Sequence, residues 1–237
     1  MNDMRFEQVT KHYGNRTIMS ELSLELNEGQ ITCIMGSSGI GKTTLLRMAA
    51  GLELPDSGII ERRSDMRIGY VFQEPRLLPR KTVLDNVRWV LDDQKHVTNN
   101  EIAIWLTEAG MAHALTSYPD HLSGGMKQRV SLIRAFVTNP GLLLMDEPFQ
   151  SLDAGTRQDM QKLLLRLWHK NKPTILLVTH DLDEALALGT RIVVLTGAGS
   201  LAMDIFHAAA DVGADTMRFT ADDIVKLHKL VNGHQST

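Results

Sequence analysis

A chain of 237 residues with 25 basic and 28 acidic side chains has a formal net charge of −3, which argues against a broad nucleic-acid-binding surface. With 43% hydrophobic and 22% charged residues it has the composition of an ordinary globule, with enough apolar material for a sizeable core. A lone cysteine, Cys33, excludes an internal disulfide, no apolar run approaches the ~20 residues that cross a bilayer, and Met1–Phe6 lacks the apolar centre of a secretion signal.

Leu22, Leu24 and Leu26 alternate with Ser23 and Glu25, the pattern of a strand with one buried face. Asn27-Glu28-Gly29 predicts a turn and Ile31–Met35 a short apolar strand. A glycine-rich loop follows, then a helix from about Lys42 that Gly51 ends. Pro55-Asp56-Ser57-Gly58 predicts a turn and Arg67–Gln73 a strand. From Glu74 to about Val137 the texture becomes helical, with helices over Thr82–Leu91 and Glu101–Ala109, the polar stretch Asp92–Asn100 between them, and a third from about Met126 to Val137. Leu142–Met145, Thr174–Thr179 and Ile192–Leu195 then read as strands alternating with helices over Thr156–Lys170 and Leu182–Leu188. Such alternation predicts a parallel sheet covered on both faces. A last helix is expected in the tail behind Thr220, with Asp223 three residues on as its capping partner. The expectation is one α/β domain over residues 1–237, its core drawn from about 1–73 and 138–237 and a helical insertion from about 74–137.

Gly36-Ser37-Ser38-Gly39-Ile40-Gly41-Lys42-Thr43 fits G-x-x-x-x-G-K-[ST], between an apolar strand and a helix. Glycines let backbone N–H groups converge on phosphate oxygens, and the helix start adds free donors and partial positive charge. Lys42 is expected to reach the β- and γ-phosphates of ATP, Thr43 to offer a hard oxygen to Mg²⁺, and Thr44 to complete the loop. Downstream, four apolar residues, Leu142–Met145, run into Asp146 and Glu147. An acid at the carboxyl edge of an open sheet sits where ligands bind. Asp146 is expected at the Mg²⁺ shell, and Glu147 beside the γ-phosphate as the group that orients or deprotonates a water.

Leu122-Ser123-Gly124-Gly125-Met126-Lys127-Gln128-Arg129, led in by Tyr118-Pro119-Asp120-His121, resembles the signature motif of ATP-binding cassette (ABC) ATPases. Other elements of that family follow in order over about residues 5 to 196. Tyr13 matches the aromatic that stacks on adenine, or is an ordinary strand aromatic. Gln73 in Val71-Phe72-Gln73-Glu74 matches the glutamine that senses Mg²⁺ or water, or simply ends a strand. Ser151-Leu152-Asp153 matches the D-loop, with Asp153 either communicating between paired sites or only beginning the next helix. His180 in Val178-Thr179-His180-Asp181 matches the switch histidine, or is a polar surface residue. The resemblance implies a P-loop ABC ATPase core with an N-terminal antiparallel β subdomain and an inserted α-helical subdomain.

Ser123 is a good N-cap for a helix expected to begin after Gly125, so Ser123, Gly124 and Gly125 offer a second anion-binding helix start. The resemblance implies a head-to-tail homodimer in which Lys42 of one copy and Ser123 of the other clasp the same ATP. Val71–Pro79 and Val83–Val87, with Met126 and Leu152–Arg157, resemble the nitrate/sulfonate/taurine importer group, although Arg80 replaces that group's usual tryptophan. This implies a motor subunit, peripheral on the cytoplasmic face of the inner membrane. Its partners would be transmembrane permease subunits and, indirectly, a solute-binding protein, with no nucleic acid. The alternative is an ATPase that signals to a non-transporting membrane partner, as in cell division or lipoprotein release.

Overall fold

The computed structural model describes residues 2–91, 97–197, 200–206 and 219–233. Residues 92–96 of the polar stretch Asp92–Asn100 lie outside these. A long hairpin opens the fold, β1 (Asn2–Tyr13) against β2 (Arg16–Asn27), and β4 (Ser57–Arg62) pairs antiparallel with the other side of β1. The main sheet has six strands in the order β5 (Ile68–Val71), β6 (Leu142–Asp146), β7 (Thr174–Val178), β3 (Ile31–Met35), β8 (Arg191–Thr196), β9 (Ser200–Phe206). The first five are parallel.

β9 is antiparallel to β8, so the all-parallel expectation fails at this edge. β9 was not predicted, and neither was β4. Ser57-Gly58, read as a turn, is instead the start of β4. Gly58 has φ +85°, and a Cβ there would lie 2.3 Å from the Gln8 carbonyl oxygen. The register of β1 against β4 shifts between Glu7 and Thr10, so the glycine marks a bulge inside a strand rather than a break before one.

Helices α1 (Lys42–Ala49), α2 (Val83–Arg88), α3 (Asn99–Glu108), α4 (Gly124–Phe136), α5 (Ala154–Asn171), α6 (Leu182–Leu188) and α7 (Ala221–Gly233) complete the described chain. Most begin at a side-chain cap. Thr98 and Glu101 form a capping box at α3, Thr220 and Asp223 exchange bonds at α7, and Thr82, Ser123, Asp153 and Asp181 cap α2, α4, α5 and α6. α4 starts at Gly124 and α5 at Ala154, each two residues before the expected point, because Ser123 and Asp153 sit at the cap positions.

The main sheet separates two apolar clusters. On one face Ile34, Leu144, Leu176 and Val193 pack with Phe6, Leu24 and Leu26 of the small sheet and Leu45 and Leu46 of α1. On the other Cys33, Leu143, Ile175 and Ile192 pack with the helical side, including Val130, Phe136, Leu164 and Trp168. Strands buried on both faces favour apolar side chains on both, which is why β3, β6 and β7, despite the buried Thr32 and Thr174, lack the alternation of a half-exposed strand. The order β6-β7-β3 also makes the loops at their carboxyl ends neighbours, and these three loops carry the chemistry.

Candidate active site

The loop after β3 depends on glycine. Gly36 has φ +150° and Gly41 φ +111°. A Cβ at Gly36 would lie 2.8 Å from the Leu195 carbonyl oxygen, and one at Gly41 2.8 Å from Cγ2 of Ile18. Ser37, Ser38, Gly39 and Ile40 complete the turn, and Lys42 opens α1. Lys42 is 6% exposed, and its Nζ donates to the carbonyls of Gly36 at 2.8 Å and Ser37 at 3.0 Å. Burial pushes its ammonium below the usual lysine range, against Glu147 and Asp146, whose charges hold it up.

Asp146 ends β6, and its Oδ1 accepts from the Thr43 hydroxyl at 3.2 Å. Burial raises the Asp146 carboxyl, with the Thr43 bond opposing. Glu147 adopts a left-handed φ of +43°, while its N–H donates to the Val178 carbonyl at 3.0 Å. An unfavourable backbone conformation for a non-glycine residue is retained where it aims a side chain. Here Oε2 of Glu147 lies 2.9 Å from Nδ1 of His180, the first residue beyond Thr179 at the end of β7. A carboxylate and an imidazole in hydrogen-bond contact can share the work of orienting and deprotonating a water.

Two adjoining cavities meet these groups. One of about 410 Å³ is lined by Tyr13, Ser38, Gly39, Gly41, Lys42, Thr43, Thr44, Gln73, Asp146 and Glu147. The other, about 380 Å³, is walled by Gly36, Ser37, Lys42, Glu147 and His180. Tyr13 closes the β1–β2 hairpin, is half exposed, and donates its hydroxyl to Glu53 Oε1 at 2.5 Å. Gln73 shares this cavity with Asp146, and its amide nitrogen donates to Oε1 of Gln150.

The donor set suits a small hard cation carried with phosphates. A threonine hydroxyl and a carboxylate already lie within hydrogen-bond distance, while the described residues hold no group of three or more His, Cys, Asp or Glu that would cage an ion alone.

Ser123, Gly124, Gly125 and Asp153 are absent from both cavity walls. Ser123 caps α4 through the Met126 N–H at 3.2 Å. A Cβ at Gly125 would meet Cγ2 of Thr156 at 2.6 Å, so that glycine admits the close approach of α4 to α5. Asp153 accepts from the Thr156 N–H at 3.0 Å and the Thr156 hydroxyl at 2.7 Å, occupying its carboxylate as a helix cap.

Three wall residues escaped the sequence reading, the first being Ile18 of β2 in the larger cavity. Gln150 lines both cavities, and Val231, from α7, lines the second. A lone amide three residues beyond the acids belongs to no motif. Val231 arrives only through the packing of α7 onto α6 and β8.

Below His180 lies a further residue missed, Glu184, 3% exposed. Its Oε2 accepts from the Thr179 hydroxyl at 3.2 Å, and its Oε1 has no partner. Burial pushes the carboxyl up to about 7, the Thr179 bond opposing. Between the ordinary glutamate value and 7 the native state holds a proton that the unfolded chain releases, so stability falls as pH rises through that window. The cost saturates above pH 7 at about 3 kcal/mol at most. Glu184→Gln removes the titration, so its melting temperature should gain on wild type between pH 5 and pH 8. A constant difference across that range in thermal melts would contradict the assignment.

Residues 19–150 match the ABC transporter family. The chain is 49% identical over 188 residues to the aliphatic sulfonates import ATP-binding protein SsuB of Granulibacter bethesdensis, covering 79% of this chain and 77% of the relative. It is 45% identical over 202 residues to the protein of that name, SsuB 1, from Pseudomonas syringae pv. tomato, covering 85% and 73%. Among solved structures it resembles the dimeric post-hydrolysis state of the ATP-binding cassette MJ0796 bound to ADP and Pi, with TM-score 0.75 and 29% identity over 86% of this chain and 98% of that one. With the phosphate loop, the acidic strand end and the histidine gathered at one sheet edge, and the family matched across more than half its length, the chain belongs to the ABC transporter family of ATP-hydrolysing cassettes.

Proposed function

We propose that the protein is the ATPase subunit of a membrane importer and works as a head-to-tail pair. The observation that carries the pairing is the separation of two glycine-bearing helix starts. The loop before α1 walls the cavities, and the Ser123-Gly124-Gly125 start of α4 does not. A free helix N-terminus is a site for anions, so each triphosphate is held by the loop of one copy and the α4 start of the other. The ADP- and Pi-bound relative is itself dimeric, which supports this reading.

In the closed pair, Lys42 turns from the Gly36 and Ser37 carbonyls toward the β- and γ-phosphates, and Tyr13 stacks on the adenine. Thr43, Asp146 and Gln73 would hold Mg²⁺, which when bound neutralises phosphate charge. Glu147 orients the attacking water and takes its proton, with His180 beside it. Asp153 faces the paired site from the start of α5. Phosphoryl transfer asks for little covalent work from the protein, so positioning and charge neutralisation carry the rate.

No helix among the described residues is long and apolar enough to cross a membrane. A separate permease therefore supplies the pore in this reading, with the cassette on its cytoplasmic face and residues 74–137 forming the helical subdomain between nucleotide core and permease. Import relatives named for aliphatic sulfonates, at 45–49% identity, support that solute class, and in this reading an external solute-binding protein delivers the solute. The test is ATPase activity of the cassette–permease complex in proteoliposomes, with binding protein loaded with an alkanesulfonate, taurine or nitrate. Stimulation by the alkanesulfonate-loaded protein is expected. ATPase indifferent to every loaded binding protein would favour a non-transporting partner.

A further inference from the structure

Glu147 and His180 are carried by two different loops, residues 147–153 between β6 and α5, and residues 179–181 between β7 and α6. Their 2.9 Å contact is one side-chain attachment between the loops, added to the backbone bond from the Glu147 N–H to the Val178 carbonyl at their base. A second lies on the far side. Nη1 of Arg157, in the first turn of α5, donates to Oδ2 of Asp181 at 2.7 Å. Nη2 of the same guanidinium donates to the Leu152 carbonyl at 3.3 Å. Arg157 thus holds the residue after His180 and a residue of the Glu147 loop with the two arms of one planar group.

The Asp181 end is well fixed. Its N–H donates to the Thr179 hydroxyl at 3.0 Å, and its Oδ1 accepts from the Glu184 N–H at 3.1 Å. Arg157 and Asp181 are both about 30% exposed, so water screens their pair only in part. The flat guanidinium meets the carboxylate and the carbonyl at two fixed donor angles, a geometry that the rotating point charge of a lysine does not impose.

We propose that Arg157 is a positioning residue for the hydrolytic step, bracing the Glu147 loop against the His180 loop so that the Glu147–His180 contact keeps its geometry. This rests on the catalytic reading of that pair. Misplacement of a reacting group by about 1 Å can cost roughly a hundredfold in rate, so a brace remote from the phosphates can matter.

The test is a cycle of Arg157→Ala, His180→Ala and the double variant, with ATP affinity, kcat, KM and melting temperature measured for each. Arg157→Ala should lower kcat at least roughly tenfold while KM for ATP moves less than about twofold. In the His180→Ala background it should cost far less, because the contact it protects is already gone. Arg157→Lys should recover only part of kcat. Asp181→Asn, which keeps the cap on α6 and loses the charge, should reproduce the Arg157→Ala loss and covers the case of poor folding in that variant. Additive losses in the double variant, or a kcat within twofold of wild type in Arg157→Ala, would overturn the proposal. If His180→Ala and Glu147→Gln both hydrolysed ATP at the wild-type rate, the catalytic reading itself would fail, a result separate from an unaffected Arg157→Ala beside slow His180→Ala.

Discussion

Glu147→Gln is expected to hold ATP as tightly as wild type and to hydrolyse it at least roughly a hundredfold more slowly. The substitution is isosteric and leaves the backbone untouched, so the left-handed turn at this residue and its N–H bond to Val178 persist. The amide can still meet Nδ1 of His180. What disappears is the lone carboxylate able to take a proton from water at the mouth of both cavities. It also takes away a negative charge from beside Lys42, which relieves repulsion toward a triphosphate rather than adding to it. With the step that separates the copies blocked, the ATP-bound pair should accumulate. Size-exclusion chromatography with Mg²⁺-ATP should move Glu147→Gln to twice the monomer mass while wild type stays mostly monomeric at steady state. Phosphate release at the wild-type rate would remove Glu147 from the role of base.

What could be read from the chain divides by how local its cause is. Gly36 to Thr43 was legible because the steric demand of each glycine and the reach of Lys42 are fixed within eight residues. The same holds for Ser123 and Thr220 as caps, where a short polar side chain meets an N–H three residues on. β9 was not legible, since an edge strand has only one neighbour to satisfy and its sequence need not be continuously apolar. β4 was lost to a glycine whose meaning lies in its neighbour: only the carbonyl of Gln8, fifty residues earlier in the chain, tells a bulge from a turn. The site followed the same rule. Asp146, Glu147 and His180 announce themselves at strand ends. Gln150, Glu184 and Val231 acquire their surroundings from packing between distant segments, and the motif order never mentions them. Gln73 shows the intermediate case: it lines the cavity two residues beyond β5, yet its amide's partner, Gln150, belongs to another loop.

Lys42→Ala should abolish ATP retention without weakening the empty protein. Its ammonium is nearly buried, and two loop carbonyls at 2.8 and 3.0 Å are its hydrogen-bond acceptors. Burial disfavours its charge, as the lowered proton affinity records, so the nucleotide-free fold gains little from keeping it. A triphosphate changes that balance, since anionic oxygens replace neutral carbonyls as acceptors. Two charge-assisted bonds at about 1.5–3 kcal/mol each amount to a loss of roughly a hundredfold or more in affinity when the side chain is cut back. The measurement is differential scanning fluorimetry with and without Mg²⁺-ATP. Lys42→Ala should melt within about two degrees of wild type when empty, a shift of about 1 kcal/mol or less for a chain of this size, and show no ATP-induced rise. Lys42→Arg should behave like the alanine variant in ATP binding. The loop closes around a single Nζ, with Gly36 pressed against Leu195 and Gly41 against Ile18, and a planar fork has neither the room nor the acceptor geometry there. A large drop in the melting temperature of empty Lys42→Ala would mean that the lysine is a structural brace for the loop, and an undiminished ATP shift would mean that the loop binds phosphate through its N–H groups alone.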